Sequence, residues 1–553
     1  MKSKKMLVVL ISVLVLASLV LSACQSKSTA NDPSVIVIGT TDKIASLDAA
    51  DAYSTHDWEV IENVSNGLVA WKPGTTDLEP ALATDLGTVS DDGLVYTFTL
   101  KDGIKFGDGT ELTATLYAQQ LNRLLTIGPS CPNDVADALA VPYIKSIEAP
   151  DAKTIVFTLT TPIAYFRNIL ATSPFVATNP KTFPTDQCVL YPKAPIYGTG
   201  PWYVSQFNAD EQMVLEPNPY YTGNYKPQVK KIIYRFYSDA NTLALAVQSG
   251  EVDIAWRMLS TDQISELEKV SGLKIGTIPG GSIRFLTLNL TMAPTDDPNV
   301  RKAIAYSIDR NEIADTVFGG KVSPLYSMVP PGFLGAEDTF DTMYASPNLD
   351  EARKALEASG YSADKPLELD LWYPPEHYGA STAAWMQIIQ KQLEATGEMK
   401  VTLQAQEWST YISALTQGKS YPAAVEGWFF DYPDPSNYLD PFTYNGGMGN
   451  NLTAAVKGST TGTPTNDTVA QLVEVLQKAD VELDDTARVA EYKQAQEMAA
   501  DLAGNIPLFF EAEHVIYRDS ISGNANFNSP ETLNIGGNVF FNYSMLTKTV
   551  SGK

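Results

Sequence analysis

Carboxylates carry the densest chemistry in this sequence. Asp431, Asp434 and Asp440 fall close together, interleaved with Pro433, Pro435 and Pro441, which stiffen the segment into a loop. Two carboxyl groups held that close suit a glycosidase or peptidase, with one protonated as acid and one ionised. They suit equally well a protein that takes a cationic group out of water, with the other acids structural or solvated. The rest of the chain favours binding. There are 3 histidines, His56, His377 and His514, none in an HExxH pattern or spaced from another as a metal pair. No GxSxG elbow, GxxxxGK[ST] loop or GxGxxG turn occurs, and Gly198-Thr199-Gly200 runs straight into Pro201-Trp202. No catalytic group, metal or cofactor is therefore expected. The rival from another class is a secreted glycosidase or peptidase using Asp431 and Asp434.

The N-terminus shows where such a protein would work. Lys2, Lys4 and Lys5 precede the apolar run from Met6 to Val20, which ends in Leu21-Ser22-Ala23-Cys24, the layout of a secretory signal. Small residues before a lone cysteine resemble the lipobox of bacterial lipoproteins, which implies cleavage after Ala23 and a lipid on Cys24. The alternatives are an ordinary cleaved signal with a chance cysteine, or a signal anchor that stays in the membrane. Residues 24–34 are polar and read as a flexible tether.

With Cys24 set aside, Cys131 and Cys188 remain. An even remainder in an oxidising compartment favours one disulfide, against the alternative of two buried free thiols, and no CxxC spacing points to metal or redox work. The formal charge of −25 argues against nucleic acid as a partner, and loss of the three leader lysines makes the balance more acidic. Anionic lipid headgroups would repel this surface, so attachment to the outer face of the cytoplasmic membrane must come from the lipid alone.

Several elements must position the acidic loop. Val35 to Ile38 reads as a strand, and Asp57 to Trp71 as a helix followed by a strand. Tyr96, Phe98 and Leu100 alternate as a strand, as do Ile155, Phe157 and Leu159, and Thr113 opens a helix between them. Farther on, Asp297 with Pro298, Asp309 with Glu312, and Asp350 with Gly360 mark helix ends. A helix over 381–396 places Trp385, Ile388, Ile389 and Leu393 on one face and stops at Gly397. These patterns predict an α/β protein of two lobes: residues 35–72, 196–288 and 509–545 form the first, and 289–508 the second. Residues 73–195 form a small inserted domain containing both unassigned cysteines, and the chain crosses between lobes near 286–290 and 508–512.

Short segments then fall in a telling order: Phe106-Gly-Asp-Gly-Thr-Glu-Leu-Thr113, Gly198-Thr-Gly-Pro-Trp-Tyr203, Asn218-Pro-Tyr-Tyr221, Gly250-Glu-Val-Asp253, Asp297 through Val300-Arg-Lys-Ala303 to Ile308-Asp-Arg310, and Trp428-Phe-Phe-Asp-Tyr-Pro-Asp-Pro435. Together they resemble the oligopeptide- and dipeptide-binding proteins of ABC importers, the extracellular solute-binding family 5, across essentially the whole mature chain. The resemblance implies a class C periplasmic-binding-protein fold that closes by a hinge, acts as a monomer and delivers a peptide to permease subunits. It implies that Asp431 pairs with the ligand's ammonium group and that the backbone from Gly427 through Trp428 to Phe429 takes the peptide as an added strand. Tyr53, Ser54 and Thr55 supply the opposite strand, while Trp408, Trp372, Tyr373 and His377 line side-chain pockets. The same fold serves oligosaccharides, nickel chelates and signalling peptides. Where oligopeptide-binding members carry an arginine for the ligand carboxylate, three residues before the tryptophan, this chain has Val425.

Overall fold

The computed structural model describes residues 32–549, apart from 128–129, 134, 136–138, 140–142, 257–258, 380, 417–420, 445–463 and 524–539. The leader and Cys24 lie outside the described residues.

Two long antiparallel strands, Leu273–Leu288 and Asn505–Arg518, run through both halves of the molecule. They sit in the middle of an 11-stranded sheet. On one side follow Ile254–Trp256, Val35–Thr40, Lys231–Phe236, Gln212–Pro217 and Trp202–Asn208; on the other follow Ala423–Trp428, Leu367–Tyr373 and Met399–Ala405. Val35–Thr40 is buried at every position and pairs in parallel with both neighbours, which is why its β-branched run does not alternate. The pairing of the two long strands shifts register between Ile278 and Ser282. Leu286 and Leu288 already pack in the core of the second lobe, so the crossing begins nearer 278–282 than the expected 286–290.

The first lobe and the inserted domain share one continuous core. Trp71, Trp202 and Trp256 are fully buried there with Phe98, Phe157 and Phe166, and truncating one such tryptophan would cost about 3–5 kcal/mol. The inserted domain carries a 4-stranded antiparallel sheet, including Val95–Thr99 and Thr154–Leu159, against the helix Ala114–Ile127. Cys131 and Cys188 are disulfide-bonded across its edge, with Cα atoms 5.7 Å apart.

The turn and glycine motifs join the parts. Gly107 N–H donates to the Gly198 carbonyl at 3.0 Å, and Gly200 N–H to the Val64 carbonyl at 2.8 Å. A Cβ on Gly198 would come within 2.1 Å of that same Val64 oxygen, so the segment needs glycine where it meets the end of the helix Thr55–Val64. The tail returns to the first lobe: Phe540, Phe541 and Tyr543 enter its core, and Lys548 pairs with buried Asp253 at 2.8 Å. In the second lobe, Asp297 and Asp309 cap the helices Pro298–Ser307 and Arg310–Phe318 as expected. Asn348 rather than Asp350 caps Leu349–Ala358, its side chain accepting from Glu351 N.

Candidate functional site

The strand Ala423–Trp428 forms one wall of the cleft between the lobes. It pairs along its length with Leu273–Leu288, so that Ile283 faces Trp428, Arg284 faces Gly427 and Leu286 faces Val425. Directly paired residues share a face. Leu286 and Val425 therefore enter one core with Trp385 and Phe509, while Ile283, Phe285 and Trp428 pack with Phe442 on the other side. Its second neighbour, Leu367–Tyr373, pairs only at Ala423 and Ala424.

Past that point tyrosine hydroxyls replace the missing strand. Tyr411 accepts from Val425 N–H at 2.9 Å and donates to the Val425 carbonyl at 2.6 Å, and Tyr378 accepts from Gly427 N–H at 2.9 Å. The amide expected to receive a peptide main chain thus already has a partner, and an added strand must displace the Tyr378 hydroxyl. Glycine is needed at 427, since a Cβ would lie 2.9 Å from both Arg284 Nη1 and the Tyr378 ring. Phe429 stacks on Phe430 at 5.1 Å and touches the cores of both lobes.

Asp431 stands at the end of this wall. Its N–H donates to Asn437 Oδ1 at 2.8 Å, and the same oxygen receives the Trp428 indole N–H at 3.2 Å. Its carboxylate accepts hydrogen bonds from Asn437 and, across the cleft, from the Tyr53 hydroxyl. Burial raises its pKa to about 6, although both donors pull the other way. A carboxylate kept from water is a place where an ammonium ion gains a charge-assisted bond.

Asp434 has a different fate. Arg488 grips it bidentately at 2.7 and 2.9 Å with both side chains buried, and Ser436 donates to it at 2.8 Å. It is not available as a catalytic acid. Asp440 is buried beside Asp480, and burial followed by that neighbour raises its pKa well above the usual carboxylate range.

The remaining expected residues divide. His377 stacks flat on Trp408 at 3.4 Å, and burial followed by the charge of Arg284 lowers its pKa. Trp372 packs on Tyr421 at 4.7 Å, in a small cluster with Tyr411 and Trp408. Tyr373 is buried in the core of the second lobe. Tyr53 reaches the site, whereas Ser54 and Thr55 do not form a strand there. Ser54 is the helix N-cap, accepting from Asp57 N–H at 3.1 Å, and Thr55 is the first helical residue. Sequence reasoning missed Tyr378, Arg284 and Asn437. The first follows His377 directly, and the third is six residues beyond Asp431 on the same loop and helix.

Comparison with known proteins agrees with this fold. The family described as bacterial extracellular solute-binding proteins, family 5, matches residues 77–450. The "Probable D,D-dipeptide-binding periplasmic protein DdpA" of Escherichia coli is 27% identical over 500 residues, covering 88% of this chain and 91% of the relative. The oligopeptide-binding protein OppA of Bacillus subtilis is 26% identical over 505 residues, covering 86% and 88%. The solved structure of the periplasmic binding protein DppA from Helicobacter pylori, in complex with the peptide STSA, superposes with a TM-score of 0.71 at 24% identity, covering 93% of this chain and 98% of that one. These relatives are binding proteins, and the two-lobed α/β fold of the solved structure is the one found here. The chain is a non-enzymatic member of the bacterial extracellular solute-binding proteins, family 5.

Proposed function

We propose that this protein is the peptide-capturing component of an ABC importer, held by a lipid on Cys24 at the outer face of the cytoplasmic membrane. It works as a monomer and hands its ligand to permease subunits. The carrying observation is Asp431: a carboxylate shielded from water, reached by donors from both lobes, just past a strand whose second edge beyond Ala424 is met by tyrosine hydroxyls. A free amino terminus would gain a charge-assisted bond there, and its arrival beside Tyr53 would link binding to closure of the lobes. Peptide ligands in the names of the relatives above support the same reading.

The test is calorimetry of the mature protein with short peptides and their N-acetylated forms. The free amine should bind at least tenfold tighter than the acetylated peptide, and Asp431→Ala should weaken the free peptide by roughly 10- to 100-fold, the worth of one charge-assisted bond. Equal affinity of Asp431→Ala and the parent protein would remove the ammonium assignment. Mass spectrometry of the membrane-extracted protein checks the anchor, which requires a diacylglycerol mass on Cys24.

A further inference from the structure

A peptide that brings an ammonium group to Asp431 also brings a carboxylate, which must leave water with it. Val425 is apolar and sealed in the core of the second lobe, so it offers nothing to an anion. The nearest cation on that face stands on the neighbouring strand. Arg284 lies directly opposite Gly427 and is therefore the diagonal neighbour of Val425. Its guanidinium lies 4.7 Å from the Tyr378 ring, beside the hydroxyl that covers the strand edge, and its charge is felt by His377 on Trp408.

The guanidinium is only partly satisfied. Nη1 donates to Ser282 Oγ at 2.8 Å and to the Ile283 carbonyl at 2.9 Å, and Nη2 meets Glu511 at 2.7 Å. Nε is buried and has no hydrogen-bond partner among the described residues. A buried donor left unmade is costly, and a guanidinium recognises a carboxylate best through two parallel bonds, which Nε and Nη2 together supply. Glu511 holds only one of them. Arg488, the cation behind the same loop, is already committed on both forks to Asp434.

We propose that Arg284 takes the carboxylate terminus of the bound peptide, with Glu511 as its stand-in when the site is empty. The two charged anchors then set the ligand's length. Asp431 is the fourth residue after Gly427, which faces Arg284, at most about 14 Å of extended chain, and the same reach in a ligand is two to four residues. The ligand class is a short zwitterionic peptide with both termini free. This inference rests on the peptide reading above and assigns the end of the ligand that Asp431 does not touch.

The experiment compares trialanine, trialanine amide and N-acetyl-trialanine by calorimetry on the full mature protein, Arg284→Gln and Arg284→Lys. The parent protein should prefer the free acid over the amide by at least tenfold. In Arg284→Gln that ratio should fall to within twofold, while the penalty for N-acetylation is retained; Arg284→Lys should keep part of the acid preference. Thermal melts identify folded variants, and the acid-to-amide ratio within one protein is independent of any general loss of affinity. An unchanged ratio in folded Arg284→Gln overturns the proposal, as does a parent protein that discriminates the acetylated peptide but not the amide. If the parent protein binds none of the three, the short-peptide class falls along with the assignment of Arg284. If the acid preference follows Arg284 but acetylation has no effect, Arg284 stands and the role of Asp431 is lost.

Discussion

Asp431 and Asp434 stand three residues apart on one loop, yet they live in opposite electrostatic worlds. Asp434 is met by a guanidinium on both oxygens, a serine and the Tyr492 hydroxyl, and its charge is balanced inside the protein. Asp431 accepts from an amide and a phenol, and burial raises its pKa to about 6. The proline-rich segment between them turns one carboxylate into the second lobe and leaves the other at the cleft. The acid gripped by Arg488 serves the fold, whereas burial holds Asp431 well above the usual carboxylate range.

The sharpest way to break this comparison is to remove the cation from the balanced acid. Arg488→Met leaves Asp434 buried and unpaired, and the urea unfolding midpoint should fall by the equivalent of about 3–5 kcal/mol. A loss no larger than that caused by Asp431→Asn would mean that the two acids are equally dispensable to the fold.

A second test uses pH. Asp431 has a pKa raised to about 6 in the ligand-free protein. Below that pH a proton competes with the ligand's ammonium, so affinity should fall about fivefold between pH 6 and pH 5 and stay nearly flat from 7 to 8. For stability the sign is reversed from the usual acid. A folded pKa above the unfolded value of about 3.9 means that folding favours the proton, so Asp431 lowers stability as pH rises from about 4 to 6. Asp431→Asn should therefore flatten that part of the stability profile. A flat affinity profile in the parent protein would show that Asp431 does not titrate at the site.

The smallest effect separates cap from contact. Ser54→Ala should lower stability by about 1 kcal/mol through the lost N-cap and leave peptide affinity within twofold. A larger drop in affinity than in stability would return Ser54 to the ligand.

Much of this was legible in the residue pattern. The acidic cluster near Trp428 to Pro435 stood out in the sequence, the family resemblance picked Asp431 from it, and alternation, caps and glycine stops marked the helices named above within a few residues. Three features were not legible. Ile278-Pro-Gly-Gly281 contains a proline and two glycines, yet the structure keeps it as an irregularity within the single strand Leu273–Leu288, with Gly280 packed so tightly that a Cβ would meet the Glu511 carbonyl at 2.0 Å. Ser54 has extended backbone angles, which suit either a strand or the residue before a helix, and only its bond to Asp57 decides. Arg284 was hidden for another reason: its importance comes from lying opposite Gly427, and register between strands far apart in sequence leaves no periodic mark.

Tyr438 sits on the helix that follows the acidic loop and donates its hydroxyl to the Gly281 carbonyl at 2.7 Å, inside the irregular stretch shared by both lobes. Asn437, the residue before it, accepts from Asp431 N–H, so two consecutive residues at the start of one helix tie the acidic loop to the irregular pairing of the long strands. Any displacement of that stretch would therefore reach the neighbourhood of Asp431 through one turn of helix.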